Sequence, residues 1–241
     1  MMPTSPHTAQ TSSRLICLLN DIAPSPVAIN EADMPEQLAQ LFDFSSSVSL
    51  SKAYGKLATT PFQPGTENSA SLRNQFLAVR ASLVRSVIVS FDTNSESSRF
   101  TLPERIDPNS VADASAGEPY QKFYIAHQRQ FDLSIQNLRA QVRKGAAGLS
   151  PELAQLAALD AMLGTTVTSH ARKCYAAIPK LLHQHFAQLH REYQTAQQGQ
   201  QSPADFIEPF CQQMRDILLA EIEDRLLPVL GLIEAINHKK Y

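Results

Sequence analysis

Two runs in the last third of the chain decide its fold: SPELAQLAALDAML at residues 150–163 and SPADFIEPFCQQMRDIL at residues 202–218. Each run begins with Ser-Pro and has an acidic residue just after it, a pattern typical of the amino terminus of a helix. Apolar residues then recur every three or four positions, to about residue 193 in the first run and residue 236 in the second. One short break, at residues 199–202, separates them. The sequence therefore predicts two long helices that fold back on each other antiparallel.

The chain before this hairpin is also predicted to be helical. Capping residues and apolar periodicity indicate short helices near residues 12–23, 33–42 and 49–57, a longer one over 68–91, and another over 118–144. Apolar residues at Leu77, Val84 and Ile88 widen the face of the 68–91 helix, which we therefore expect to be buried on two sides. Pro179 and Pro228 interrupt the two hairpin helices and are expected to bend them.

These elements divide the chain into four regions. Residues 1–11 are predicted to be disordered and 12–91 to form an N-terminal helical region. Residues 92–117, rich in Ser, Asp and Pro, are predicted to be a flexible linker anchored only at residues 100–102. Residues 118–241 are predicted to form a bundle of long helices. Since no strand pattern is present, the predicted fold is all-α: short helices and one long helix, followed by a long antiparallel hairpin or three-helix bundle of coiled-coil type.

The composition of the 241 residues narrows the range of functions. A net charge of −2, with 18% charged residues, gives no bulk attraction to polyanions, and 8 glycines are few for an enzyme built on phosphate-binding loops. Cys17, Cys174 and Cys211 share no close spacing, and are predicted to be small buried apolar residues of a reducing compartment instead of a disulfide or zinc framework. No stretch approaches the length of a membrane span. We therefore expect a cytoplasmic protein without a transmembrane segment.

Histidines and acidic residues on the hairpin are possible metal ligands. Of the four histidines on the first hairpin helix, His185 falls on the apolar stripe and His170 at its edge, whereas His183 and His190 are predicted to point outward. None has the i, i+4 spacing that one ion requires. The acids of the second helix lack the Glu-x-x-His motif of a di-metal bundle. They are predicted to form a solvated face: Glu221, Glu223, Asp224 and Glu234. No metal and no cofactor is predicted.

Two charged residues lie within the apolar stripes, where solvated residues are not expected. Asp160 stands between Leu156 and Leu163, and Arg225 stands on the facing helix. Because buried charges need partners, both are candidate buried polar or interaction residues, together with His185. In an antiparallel hairpin Asp160 would lie opposite residues 238–239 and Arg225 opposite residues 173–174, too far apart to meet each other. Each is then either paired structurally or part of a functional polar site.

No pattern of catalytic residues is recognisable. The chain has no G-x-S-x-G motif, no cysteine with a catalytic signature and no glycine-rich phosphate loop, so no catalytic residue is predicted. The middle helices carry an excess of arginine over the acid-rich last helix. Charge pairing within the molecule explains this excess better than nucleic-acid binding does.

Three stretches resemble a bacterial family of proteins, domain of unknown function 3348. They are AVRASLVRS at residues 78–86, LAQLAALD at 153–160 and, most specifically, LLAEIEDRLLPVLGLIEA at 218–235. The likeness covers most of the chain apart from the linker. It implies a helical bacterial protein, brings no catalytic residues with it, and suggests an accessory to an envelope or inner-membrane complex.

Three functions are compatible with the sequence. The favoured one is a non-enzymatic interaction or scaffold protein that pairs with itself or with another protein through its helical surfaces. The second is a ligand-binding regulator or enzyme with a pocket between the two halves, using Asp160 or Arg225. The third is a nucleic-acid-binding helical protein.

Overall fold

The fold is described from a computed structural model over residues 13–23, 55, 62–92, 99–103, 114–196 and 204–238. These ranges contain five α-helices and one short 3-10 helix: α1 (Arg14–Ile22), α2 (Ser69–Ser90), the 3-10 helix (Ala114–Gly117), α3 (Glu118–Ala147), α4 (Pro151–Ala196) and α5 (Ala204–His238). They contain no strand, which confirms the all-α prediction. The predicted disorder at 1–11, the helix at 33–42, nearly all of that at 49–57 and the break at 199–202 lie outside the described residues.

Helices α2 and α4 begin with a side-chain cap, whereas Ser13 and Gly117, the residues before α1 and α3, form none. The Asn68 side chain accepts a hydrogen bond of 2.7 Å from the backbone N–H of Ser71 at the start of α2. The Ser150 hydroxyl accepts one of 3.2 Å from the N–H of Leu153 at the start of α4. Both bonds satisfy an N–H that the helix itself leaves without a partner. Local sequence thus sets where α2 and α4 begin.

Helix α5 lies at the centre of the bundle and contacts each of the other four α-helices. Its contacts with α4 run antiparallel, since Phe186 packs on Phe210 and Tyr193 on Phe206 nearer the connection. The antiparallel prediction is therefore confirmed. The most extensive packing of α4 is nevertheless with α3, to which the short turn at residues 148–150 joins it. At 1.5 Å per residue, the 46 residues of α4 extend about 70 Å.

One continuous hydrophobic core joins α2 to the long helices. Leu72 of α2 packs so closely on α3 that a Cβ at Gly145 would lie 2.5 Å from its Cδ2. Phe100 and Leu102 pack against the same core, and the Phe100 ring centroid lies 4.6 Å from that of His127. This contact confirms that residues 100–102 are anchored, but the prediction that they are the only anchor of the linker is wrong, since Ala116 of the 3-10 helix packs against the same core.

The prediction that α2 is buried on two sides is wrong. Leu77 is 45% exposed and Ile88 is 52% exposed, whereas Leu72, Phe76 and Leu83 are buried. The reason is that α2 packs on α3 and α5 through one face only, at the outside of the bundle. Its apolar residues are more numerous than that single face can cover.

Candidate functional site

A buried ion pair lies at the centre of the bundle. The Glu221 carboxylate has no exposed surface, and Arg225 lies one helical turn further along α5. The Arg225 guanidinium donates to Glu221 Oε1 through Nε at 2.7 Å and Nη2 at 2.6 Å, and its Nη1 donates to Asp132 of α3. A buried pair of this kind is tolerated only if its remaining hydrogen-bonding atoms are also satisfied.

Helix α3 supplies those further partners. The Tyr124 hydroxyl donates to Glu221 Oε2 at 2.5 Å, and Gln128 Nε2 donates to both carboxylate oxygens at 3.0 and 3.1 Å. Tyr124, Gln128 and Asp132 are four residues apart, so they lie in one line along α3. Burial raises the pKa of Glu221, and the charge of Arg225 with the hydrogen bonds of Tyr124, Gln128 and Arg225 offsets only part of that rise. Burial, together with the Glu221 charge, raises the pKa of Tyr124 well above its usual value.

Pro179 explains a second role of Gln128. A proline has no N–H, so in α4 the carbonyl four residues earlier, that of Tyr175, loses its helical donor. Gln128 Nε2 donates to that carbonyl at 2.9 Å. The Gln128 side-chain amide therefore donates both to the buried carboxylate of α5 and to the α4 carbonyl that lacks a backbone donor. It thereby links α3, α4 and α5.

The Tyr175 side chain closes this end of the network. The Arg225 guanidinium lies over its ring, 4.0 Å from the centroid, a distance at which cation–π attraction is effective. The Tyr175 hydroxyl donates to Asp224 Oδ2 at 2.6 Å, and the Ser13 hydroxyl, just before α1, donates to Asp224 Oδ1 at 3.1 Å. Burial and the hydrogen bond to Asp224 raise the pKa of Tyr175. The phenol therefore stays protonated and acts as a donor.

Asp160 forms a second, separate charge cluster between α3 and α4. Arg139 and Arg143 both donate to its carboxylate, Arg139 through Nε at 2.9 Å and through Nη2, and Arg143 through Nε. Burial alone would raise the pKa of Asp160, but the hydrogen bonds and charges of the two arginines outweigh burial and lower it. Asp160 is therefore ionised at neutral pH, one carboxylate shared by two guanidinium groups.

A cleft of about 480 Å³ connects the two clusters along the junction of α3, α4 and α5. Four arginines line it, and alternate with short or apolar residues. Its charged lining residues are Asp132, Arg139, Arg143, Arg172, Asp224 and Arg225. Its apolar lining residues are Ile135, Ala161, Gly164, Val167, Ala171 and Pro228. An apolar wall with a few converging polar groups, in a cavity of this volume, is typical of a small-molecule site.

The predicted site residues fall at three different places. Asp160 meets arginines of α3 instead of the predicted residues at the end of α5, because α3, not α5, is the main partner of α4. Arg225 lies over Tyr175, one residue from its predicted neighbours. His185 is half-buried at the α4–α5 contact, where its Nε2 lies 2.8 Å from Gln213 Oε1. Arg225 lines the cleft and His185 does not; Asp160 is outside the lining but binds Arg139 and Arg143, which belong to it.

Three predictions of solvent exposure are wrong. Glu221 is wholly buried, because α5 has neighbours on almost every side. His190 is buried beside Phe186 and Phe206, and that burial lowers its pKa. His183 is half-buried where the 3-10 helix crosses α4: a Cβ on Gly117 would lie 3.0 Å from its Nδ1.

Sequence reasoning also missed His127, which is fully buried in α3. Its Nε2 lies 3.0 Å from the Ser90 hydroxyl, and that hydroxyl donates to the Val87 carbonyl at 2.8 Å. The Ser90 hydroxyl can then only accept from the imidazole, so His127 carries its proton on Nε2. Aromatic rings surround it, and burial lowers its pKa from 6.5 to about 4. The pair stabilises the end of α2 and has no resemblance to an activated nucleophile, whose hydroxyl would donate to the imidazole.

Further observations concern metals, membranes and related proteins. The described residues contain no group of three or more His, Cys, Asp or Glu side chains placed to hold a metal ion. None of the described helices combines the length and the apolar character needed to cross a membrane. No curated protein and no solved structure matches the chain. A family model does match, over residues 1–238, and the chain therefore belongs to the family described as protein of unknown function (DUF3348).

Proposed function

We propose that this protein is a non-enzymatic, ligand-binding regulator that takes a small organic molecule in the cleft between α3, α4 and α5. The observation that carries the proposal is the lining of the cleft, in which four arginines converge on an apolar wall. Side chains with displaced pKa values, Tyr175 and Asp160 among them, lie at or beside this cleft. Such groups cluster at functional sites more often than elsewhere. The predicted ligand-binding alternative placed its pocket between the two halves of the chain; this cleft lies wholly within the second half.

The position of the cleft supports regulation as the consequence of binding. Its walls belong to three helices, and the side chains that line it are the same ones that join those helices. A ligand that contacts Arg139 or Arg225 therefore changes the hydrogen bonds between helices. Binding in the cleft would be coupled to how tightly α4 packs on α3 and α5.

A pair of matched variants tests the proposal. Val167 lines the cleft and is 38% exposed, and Leu156, on the same helix but outside the lining, is 37% exposed. Val167→Trp fills part of the cleft, whereas Leu156→Trp adds the same bulk elsewhere on α4. Melting temperatures are measured for the wild type and both variants against a library of small carboxylates, phosphates, amines and neutral sugars.

We expect at least one compound class to raise the melting temperature of the wild type and of Leu156→Trp but not of Val167→Trp. A ligand at a hundred times its Kd stabilises the folded state by about 2.7 kcal/mol, which is a shift of several degrees. If no compound stabilises the wild type, or if Val167→Trp responds as the wild type does, the cleft is not a ligand site.

A second candidate function, a scaffold or accessory component of a bacterial complex, is supported by the outer face of α2. Leu77 and Ile88 are both about half exposed and lie eleven residues, or three helical turns, apart on one side of the helix. An apolar line of this kind suits a second helix, from another copy or from an envelope-complex protein. Cys17 and Cys174 are exposed, so the prediction that they are buried is wrong, but free thiols accord with a cytoplasmic location, where thiols stay reduced.

The Leu77→Lys/Ile88→Lys double variant tests this second function. Sedimentation velocity is measured over a hundredfold range of concentration for the wild type and the variant. Self-association through α2 predicts a concentration-dependent sedimentation coefficient that the double variant abolishes. A wild type that sediments as a monomer throughout would contradict self-association.

A further inference from the structure

We propose that the ligand of the cleft carries a carboxylate or phosphoryl group and that Arg139 and Arg143, beside Gly164, bind that group. The inference rests on the proposed function, since it names the chemical class of the molecule that the cleft takes. Three features of the cleft support it: the charge balance at its two ends, the hydrogen-bond donors of the arginines and the space at Gly164.

The two ends of the cleft differ in charge. At the α3–α4 end, Arg139 and Arg143 share one carboxylate, that of Asp160, so this end has an excess of one positive charge. At the other end, Arg172 and Arg225 face Asp132, Glu221 and Asp224. Three carboxyl groups meet two guanidiniums there, and protonation of Glu221 would only bring the balance to zero. An acidic group on a ligand is therefore attracted to the Asp160 end.

The arginines at that end have hydrogen-bond donors to spare. Each guanidinium carries five N–H groups, about ten for the pair. Arg139 and Arg143 together donate five hydrogen bonds, to the side chain and carbonyl of Asp160 and to Thr168. The other donors meet no acceptor within the described part of the chain. A planar carboxylate or a phosphoryl group is the kind of acceptor that guanidinium groups bind through two bonds at once.

Gly164 leaves room for this arrangement. A Cβ at this position would lie 2.6 Å from Nη2 of Arg143 and 3.3 Å from Nη2 of Arg139. Both guanidinium groups thus lie against the bare backbone of α4, and a methyl group would displace them. Glycine inside a helix is otherwise less favourable than alanine. Ala161 and Val167, one turn to either side, provide an apolar surface for the body of the ligand.

Four ring compounds that differ only in their polar group test the ligand class: benzoate, phenyl phosphate, benzamide and benzylamine. Their dissociation constants are measured by ligand-observed NMR at constant ionic strength. We expect benzoate or phenyl phosphate to bind at least about tenfold more tightly than the neutral amide and the amine. The tighter of the two anions shows whether the natural group is a carboxylate or a phosphoryl group.

Two variants and two controls test the location. Arg143→Gln removes one guanidinium while Arg139 still pairs with Asp160, and Gly164→Ala displaces both without removing any charge. Each is expected to raise the dissociation constant of the anion at least about tenfold. Gly231→Ala, at an open position on α5, and Arg172→Gln, at the other end of the cleft, are expected to change it less than about twofold.

Failure of this inference can be told apart from failure of the proposed function. If benzamide or benzylamine binds as tightly as benzoate and Val167→Trp abolishes that binding, the cleft takes a ligand but the ligand class is wrong. If Arg172→Gln weakens anion binding and Arg143→Gln does not, the wrong end was assigned. If neither anion binds, the inference is overturned. If the anions bind Val167→Trp as tightly as the wild type, both the inference and the proposed function fail.

Discussion

The buried Glu221–Arg225 pair allows the sharpest prediction about stability. Arg225→Met keeps most of the side-chain volume but removes two hydrogen bonds to Glu221 Oε1 and, among the residues that the structure describes, the only cation in contact with that carboxylate. Glu221 stays wholly buried, and Tyr124 and Gln128 are its remaining donors within the described ranges. Removing one partner of a buried pair costs about 3–5 kcal/mol, because the other charge is left uncompensated. For a chain of 241 residues this lowers the melting temperature by about 10 °C.

A double-mutant cycle separates this effect from loss of packing. Glu221→Gln leaves Arg225 its bond to Asp132 and its contact with the Tyr175 ring, so we expect the smaller cost of a lost hydrogen bond, about 1–3 kcal/mol. In Arg225→Met/Glu221→Gln no charge is stranded in the core. The double variant should therefore be more stable than the sum of the two single effects, by about 2 kcal/mol.

The free energy of unfolding is measured by urea denaturation at neutral pH for the wild type, the two single variants and the double variant. Arg80→Met is the matched control: Arg80 donates to Glu223 through three contacts, but the two side chains are 46% and 48% exposed. An exposed pair contributes only about 0–1 kcal/mol. Additive effects in the cycle, or equal losses in Arg80→Met and Arg225→Met, would refute the reasoning.

The pH dependence of Arg225→Met provides a second check. Burial already raises the pKa of Glu221 in the wild type, and loss of the Arg225 charge raises it further. A carboxyl whose folded pKa lies above its unfolded value destabilises the protein as the pH rises from the unfolded to the folded pKa. The deficit of Arg225→Met relative to the wild type should therefore shrink on acidification toward pH 4.5, the ordinary glutamate value. A deficit that stays constant would mean that Arg225 does not affect the protonation of Glu221, which would contradict their pairing.

Three further predictions concern other parts of the network and core. Gln128→Leu should lower the free energy of unfolding by about 1–3 kcal/mol, measured by thermal unfolding. The loss should be smaller in a Pro179→Ala background, because a backbone N–H there again donates to the carbonyl that the Gln128 amide otherwise satisfies. Equal losses in the two backgrounds would exclude this role of Gln128. Gly145→Ala should lower stability by about 1–3 kcal/mol by forcing α2 away from α3, whereas Gly231→Ala, with no atom near its added methyl group, should raise it by up to about 1 kcal/mol; the reverse order would contradict the packing. Because burial lowers the pKa of His127 from 6.5 to about 4, the unfolded chain binds a proton between these pH values that the folded chain does not. The free energy of unfolding should therefore fall by about 3 kcal/mol from pH 6.5 to pH 4. In urea titrations His127→Gln should flatten this pH dependence, and an unchanged slope would exclude His127 as its source.

The sequence alone indicates only some of the residues of the candidate site. Asp160 and Arg225 stand out because a charge within an apolar stripe violates the helical pattern. The sequence does not single out the arginines that pair with Asp160; they belong to a general excess of basic residues on the middle helices. Tyr124, Gln128 and Asp132 do form a regular line with a spacing of four. That line has meaning only when the helix on the other side is known, since a polar stripe facing solvent has the same spacing.

Within the described residues, sequence by itself determined the five α-helices, the caps that begin α2 and α4, the antiparallel arrangement of α4 and α5, and the contact of Phe100 with the core. These features depend on interactions between residues that are near in the chain, such as the Ser150 cap, and on the 3.6-residue period. Only the tertiary structure decided which charges are buried and what they contact. Periodicity identifies one apolar stripe per helix, whereas α5 is surrounded by four helices, so Glu221 is buried although it lies outside the apolar stripe through Leu218 and Ile222. Burial of a charge depends on how many helices surround a position, and that number is a property of the packed molecule.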